Sequence, residues 1–215
     1  MNVLVISDTH NRHNKFDFTD TDNVDVIVHC GDFSHSEEQV KKFCNWFSKL
    51  DFKHKILIAG NHDEYVERIG YEQFFDYCKD KGIIYLEDTS ITIDDVKFHG
   101  SPWSVTYGDW AFMMEDEHLK YKWDLIPTDV QVLITHTPPY KIGDSVEGYQ
   151  DIFDTNVGSK TLRDKLEHLY NITHHFVGHI HEDYGVHYDN GYTTFNASSF
   201  NFYLKEINDY KVFSV

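Results

Sequence analysis

Five apolar runs in this chain stop abruptly on residues able to bind a metal, and that repetition constrains the fold more than any other feature. Val3-Leu4-Val5-Ile6 leads into Asp8 and His10. Residues 24–29 lead into Gly31-Asp32, and residues 55–59 into Gly60-Asn61-His62-Asp63. Residues 130–135 lead into His136, and His175-Phe176-Val177 into Gly178-His179-Ile180-His181. Short apolar runs of this kind read as buried strands. Any one such end is equally what a polar turn after a strand looks like. Repeated along the chain, they predict polar groups gathered on one rim, because α/β sheets build their sites at the carboxyl ends of strands.

The segments between fit that layout. Ser36-Glu37-Glu38-Gln39 predicts a capping box with acidic residues in the first helical turn. Val40, Phe43, Phe47 and Leu50 follow at helical spacing. A strand–helix–strand order implies parallel strands, which brings Asp32 and Asn61 to one edge, and Asp8 with them if the first strand is parallel too. A second helix is expected over 71–81, stopped by Gly82. Short strands follow at 83–86, 91–93 and 96–99, with Asp94-Asp95 as a hairpin turn. A short helix is expected over 115–121. Residues 138–158 form a long polar stretch without periodicity, of the kind that is often functional. Ser159 is expected to cap a helix bearing Leu162, Leu166 and Leu169. Asn190-Gly191 marks a hairpin between 184–188 and 192–196, and a last strand is expected at 210–215. No repeat, linker or composition shift interrupts residues 1–215, so a single domain is expected.

Charge narrows the function. With 36 acidic against 19 basic residues the formal net charge is −17, which disfavours tracking a long nucleic acid. The longest basic run is Lys41-Lys42. Three cysteines, Cys30, Cys44 and Cys78, lack metal or redox spacing and read as reduced thiols of a cytoplasmic protein. No signal peptide is visible and no apolar run reaches membrane-spanning length.

Taken together, Asp8, His10, Asp32, Asn61, His136, His179 and His181 form a mixed nitrogen and oxygen set, suited to Mn, Fe, Zn or Ni rather than to calcium. Read in order, Asp8-Thr9-His10, Gly31-Asp32, Gly60-Asn61-His62-Asp63, His136 and Gly178-His179-Ile180-His181 closely resemble the motifs of the calcineurin-like metallophosphoesterase superfamily. Further stretches resemble its metallophosphoesterase-domain-containing branch. These are Ser7-Asp8-Thr9-His10, His99-Gly100-Ser101-Pro102-Trp103, Thr135-His136-Thr137-Pro138-Pro139 and Phe195-Asn196-Ala197-Ser198. The resemblance implies a four-layer α-β-β-α sandwich of two mixed sheets with two divalent metals between the strand-end loops, Mn²⁺ first among the candidates. It implies Asp8, His10, Asp32 and His181 around one metal, and Asp32, Asn61, His136 and His179 around the other. Asp32 would bridge, and His62 would stand off the metals beside the substrate.

The chemistry agrees with that assignment. Two dications offset only by Asp8 and Asp32 leave a positive centre that attracts phosphate and acidifies a bridging water to hydroxide. His62 is suited to protonate the departing alkoxide. The expected activity is hydrolysis of phosphate esters, first of all small phosphodiesters such as cyclic nucleotides. Alternatives are a phosphomonoesterase or nucleotidase, a nuclease, and a non-catalytic scaffold of the same fold, which the complete ligand set disfavours.

Around this set, two readings compete at several residues. Arg12 is a phosphate contact or a solvated arginine. Trp103 is a pocket wall or, by a small margin, core. Asp63 orients His62 or, as the safer reading, caps the next helix. Asn196 supports a metal loop or makes a turn. The chain lacks the Asp-Arg-Gly element that follows Gly-Asp in phosphoserine/threonine phosphatases, and His35 in its place reads as an exposed loop residue. His54 and His118 read as surface.

Overall fold

The computed structural model describes residues 1–19, 21–146, 155–201 and 203–215. Its first half runs β1 (Asn2–Ile6), β2 (Val26–Cys30), α1 (Glu37–Phe47), β3 (His54–Ile58), α2 (Glu64–Ile69), α3 (Tyr71–Lys79) and β4 (Ile84–Tyr85). There follow β5 (Thr89–Ile93), β6 (Val96–Ser101), β7 (Ser104–Val105), β8 (Met113–Met114), α4 (Asp116–Trp123) and β9 (Val132–Thr135). The chain ends with α5 (Lys160–Leu166), β10 (His174–Val177), β11 (Gly185–Asp189), β12 (Tyr192–Asn196) and β13 (Lys211–Ser214).

Side chains of the central strands alternate between two cores, the period-two signature of strands buried on both faces. Val3, Val5, Val26, Val28, Ile56 and Ile58 point into one cluster, where they meet Phe98, Val132, Ile134, Phe176 and Phe195 of the second sheet. Leu4, Ile6, Ile27 and Leu57 point the other way, onto Phe43, Phe47 and Phe74 of α1 and α3. Leu133, on the far face of β9, packs with Leu119 and Trp123 of α4 and Leu162 and Leu166 of α5. The result is four layers: helices, a sheet ordered β13-β1-β2-β3-β4, a sheet ordered β11-β12-β10-β9-β6-β5, and helices. Both sheets are mixed, as expected. β1 is parallel to β2, β2 to β3, β6 to β9 and β9 to β10, whereas β13, β5 and β11 run antiparallel to their neighbours.

Local signals worked where a short-range contact decides. The Ser36–Gln39 capping box forms in both directions. Ser159 Oγ accepts the Leu162 N–H at 2.9 Å. Asp94 and Asp95 both take positive φ in the β5–β6 turn, as do Asn190 and Gly191 between β11 and β12. Boundaries moved where packing decides. α1 stops at Phe47, leaving Leu50 beyond it. The helix at 71–79 is preceded by a separate one, α2, broken off at Gly70 with φ 82°. The expected helix at 115–121 begins and ends slightly later, so that Trp123 reaches the core. Of the long stretch after His136, residues 147–154 lie outside the described residues. Its flanks close on themselves through the bridges Pro139–Ser159 and Ser145–Asn156. Among the described residues, no helix is long and apolar enough to cross a membrane.

Candidate metal centre

The parallel pairing of β1, β2 and β3, and of β6, β9 and β10, puts the carboxyl ends of both sheets on one edge of the sandwich. All seven predicted ligands stand on the loops leaving those ends. Ligand atoms of Asp8, His10 and His181 lie within 4.8 Å of one another, and so do those of Asp8, Asp32 and His136. The two Asp32 oxygens face opposite ways: Oδ1 lies 3.3 Å from His136 Nε2, and Oδ2 lies 3.9 Å from His10 Nε2. Asn61 Oδ1 lies 3.0 Å from His136 Nε2, and the His179 ring centroid 5.0 Å from that of His136.

The backbone is bent to make this possible. Asp8, His10, Asp32 and His179 all have positive φ, from 41° to 71°. Non-glycine residues avoid that region, and where they occupy it they cluster at functional sites. Two motif glycines are required for close approach. A Cβ at Gly178 would meet Ser7 Oγ and Asp8 Oδ2, and one at Gly60 would meet Asp32 Oδ1 and the His136 ring.

The donor set fits a bound cation. His136 Nδ1 lies 2.8 Å from the Cys30 carbonyl and therefore carries a proton. Its Nε2 then presents a lone pair toward two further acceptors, Asp32 Oδ1 and Asn61 Oδ1. Acceptors facing acceptors in a buried place need a positive charge between them. A proton can serve: burial opposes the imidazolium, but Asp32 prevails and raises the His136 pKa to about 9. A divalent metal serves the same lone pairs. His181 is oriented likewise, Nδ1 to the Phe200 carbonyl at 2.7 Å, so Nε2 faces His10 Nε2 at 3.2 Å and Asp8 Oδ1 at 3.6 Å. Burial works against the Asp8 and Asp32 carboxylates, but the surrounding histidines prevail and hold both below the usual range.

His62 stands beside these groups without joining them. Its backbone N–H donates to Asp32 Oδ1 at 2.8 Å, while its ring reaches Asp32 Oδ2 only at 4.0 Å and remains 26% exposed. The ring lies 4.6 Å from Trp110, 4.9 Å from His35 and 5.2 Å from His10, centroid to centroid. Burial lowers its pKa, against the pull of Asp32.

The supporting residues sort themselves by contact. Asp63 occupies the N-cap position of α2, but its side chain makes no capping bond, which corrects the capping reading. It instead accepts the N–H groups of Asp32 and Gly60 on Oδ2, at 2.9 and 2.8 Å, and those of Phe33 and Ser34 on Oδ1, at 3.1 and 2.8 Å. One carboxylate thus ties the Asp32 turn to the Asn61 turn. Asn196 plays the matching part in the second sheet. Its amide donates to the carbonyls of Gly143 and Ile180, at 2.9 and 2.7 Å, and accepts from Ser198 N–H at 3.0 Å.

Before the centre opens a cavity of about 1000 Å³, near the upper end for small-molecule sites. Arg12 lines it. Trp103 does not: its ring packs into the core, and its Nε1 donates to Asp88 at 3.0 Å, so the pocket-wall assignment is corrected. The aromatic wall comes from Tyr107 and Trp110, which sequence reasoning missed. The one available signal was a pair of aromatics around Gly108-Asp109, where a polar turn would have sufficed. His35 is exposed as expected, yet it lines the cavity beside His62. His118 is exposed, whereas His54 is half-buried.

Comparison with known proteins agrees with this geometry. The family description "Calcineurin-like phosphoesterase" matches residues 1–183. Metallophosphoesterase domain-containing protein 1 of Homo sapiens is 32% identical over 223 residues, covering 91% of this chain, and the chain spans only 65% of that relative's length. A UPF0046 protein of Caenorhabditis elegans is 34% identical over 216 residues, covering 94% of this chain and 70% of its own. The crystal structure of TT1561 from Thermus thermophilus shares the fold, with a TM-score of 0.66 at 13% identity over 92% of this chain and 88% of that one. Matched over residues 1–183, this chain belongs to the calcineurin-like phosphoesterase family.

Proposed function

We propose that the chain is a dinuclear metal-dependent phosphodiesterase acting on small substrates, cyclic nucleotides among them. The observation that carries this reading is a pair of acceptor clusters that share Asp8, with the two Asp32 oxygens directed one at His136 and one at His10. Asp8, His10 and His181 would hold one divalent ion, and Asn61, His136 and His179 the other, with an Asp32 oxygen directed to each. Mn²⁺ suits these nitrogen and oxygen donors. Bound there, the two ions would supply an acidified water and positive charge for the phosphoryl oxygens.

The chain's own groups do the rest. Asp63 and Asn196 hold the ligand loops in place. Arg12, whose guanidinium donates to the His10 carbonyl at 3.4 Å, offers the phosphate a charge at the cavity wall. His62 stands close enough to the centre to reach the leaving oxygen and exposed enough to recover its proton from solvent. The net charge of −17 disfavours long nucleic acid as the substrate. A full ligand set disfavours a scaffold role. Three free buried cysteines accord with a cytoplasmic setting.

The test uses metal-stripped protein reloaded with Mn²⁺ and a panel of diesters and monoesters. Diesters are expected to be hydrolysed faster. His62→Ala is expected to retain its metals and to lose about 10²–10⁴-fold on alkyl or nucleoside esters. It should lose far less on nitrophenyl esters, whose leaving group needs no proton. Equal losses on both would assign His62 to phosphate positioning instead.

A further inference from the structure

The cavity wall has a chemistry that the metal centre does not require. Beside the ligands it is built from Val105, Val146, Val157, Ile180 and Leu204, together with Tyr107 and Trp110. Three of these are left open to solvent: Tyr107 is 62% exposed, Trp110 40% and Val157 40%. Exposed apolar side chains gathered at the mouth of a site mark a surface meant to be covered. The two rings stand at 90° to each other, 5.1 Å apart, and Trp110 continues onto His62. Trp110 thus lies against the residue that would protonate the leaving oxygen, while Tyr107 turns back over the centre, its ring 5.6 Å from that of His179.

The polar part of the wall offers little to read a base edge beyond the His35 ring and the amide nitrogen of Gln39. Gln39 Oε1 already accepts the backbone N–H groups of His35 and Ser36, at 3.0 and 3.4 Å. Thr106 Oγ1 donates to the Gly108 carbonyl at 3.4 Å. Asn11, Arg12 and Glu182 are chain neighbours of His10 and His181 and belong to the phosphate end. Among the described lining residues Arg12 is the only lysine or arginine, which suits one phosphoryl group and not a polyphosphate.

We infer that the leaving alcohol of the substrate is a bulky apolar group, alkyl or aryl, held by hydrophobic contact along Trp110, Tyr107 and the valine wall. A cyclic nucleotide, whose leaving oxygen belongs to its own ribose, would lay its base along the same wall and be taken without regard to base identity. This rests on the phosphoesterase reading above. In the reaction a water gives up a proton to solvent and its oxygen bonds to phosphorus, the P–OR bond breaks, the alkoxide leaves as ROH with a proton from His62, and His62 regains a proton from solvent.

The test is a homologous series of methyl alkyl phosphodiesters, with the matching alkyl phosphomonoesters, assayed by release of the alcohol. Full burial of one methylene corresponds to about a fourfold gain. kcat/KM is therefore expected to climb by roughly two- to fourfold per carbon until the wall is covered. In Trp110→Ala and Val157→Asn, checked for metal content and circular dichroism, the slope should flatten. The four cyclic nucleotides should differ by less than about tenfold, since hydrogen-bonding sites discriminate far more strongly than apolar ones. A flat series, or a preference above about 100-fold for one base, would overturn the inference. A slope in monoesters alone would support it and overturn the diester reading instead. If neither ester type is hydrolysed, the proposed function fails. Calorimetric binding of an alkylphosphonate series then decides: affinity rising with chain length, with a negative heat-capacity change, supports the apolar site, and chain-independent affinity overturns it.

Discussion

Replacing Asp63 by Asn tests whether one buried carboxylate holds the metal loops together. The substitution keeps shape and volume but turns one acceptor oxygen into an NH₂ group. Asp63 is fully buried, and four backbone N–H groups point at its two oxygens within 3.1 Å. Whichever way the amide turns, two of the four donors face another donor. Hydrogen bonds to a charged group contribute about 1.5–3 kcal/mol each, so losing two costs roughly 3–6 kcal/mol. One effect offsets this. Burial and the adjacent Asp32 carboxylate push the Asp63 pKa up, so removing the charge relieves repulsion. The expected loss is therefore about 3 kcal/mol, a large part of the 5–15 kcal/mol typical of a folded chain. Because the same bonds join the Asp32 turn to the Asn61 turn, metal affinity should fall with stability. Urea unfolding in EDTA measures the first, and Mn²⁺ titration of the folded variant the second. A loss below about 1 kcal/mol with unchanged metal affinity would refute the reasoning, since it would mean that the four bonds contribute almost nothing net.

Three other outcomes follow from the same geometry. Gly178→Ala should cost about 1–3 kcal/mol from overpacking against Ser7 and Asp8 and should weaken metal binding, read by thermal melting with and without Mn²⁺. Asp32→Asn should lose more metal than His10→Ala by mass-spectrometric stoichiometry, because the two Asp32 oxygens face opposite clusters; two tightly retained metals in Asp32→Asn would remove the bridge. His29 and His175 are buried, and burial lowers both pKa values to about 3. Both stay neutral in the fold down to that pH but protonate in the unfolded chain near 6.5, so stability is whole above about pH 6.5 and drains as pH falls toward 3. Each contributes about 1.4 kcal/mol per pH unit in that window, and His175→Gln should flatten the measured slope by that amount.

What the sequence determined alone was local or repetitive. The capping box at Ser36, the cap at Ser159 and the turns at Asp94-Asp95 and Asn190-Gly191 each need only neighbours a few residues away, so their residue types suffice. The gathering of the seven candidate ligands on one edge was legible for a related reason: each follows a strand whose end fixes its place.

Only the tertiary structure could decide roles that depend on partners remote in the chain. Asp63 looks like a helix cap in sequence, and it became a clamp because the β2 turn brings three N–H groups to it from about thirty residues away. Trp103 and Trp110 are seven residues apart, on either side of β7, and sequence offers no reason to choose between them. Packing chose: Trp103 found Phe112 and the Asp88 carboxylate, and Trp110 was left over His62. The cavity wall is likewise assembled from β7 and the loop to β8, from the loops after β9 and β10, and from the stretch before β13. Each carries only a few apolar residues without periodicity, and they become one surface because two sheets present their loops on the same edge.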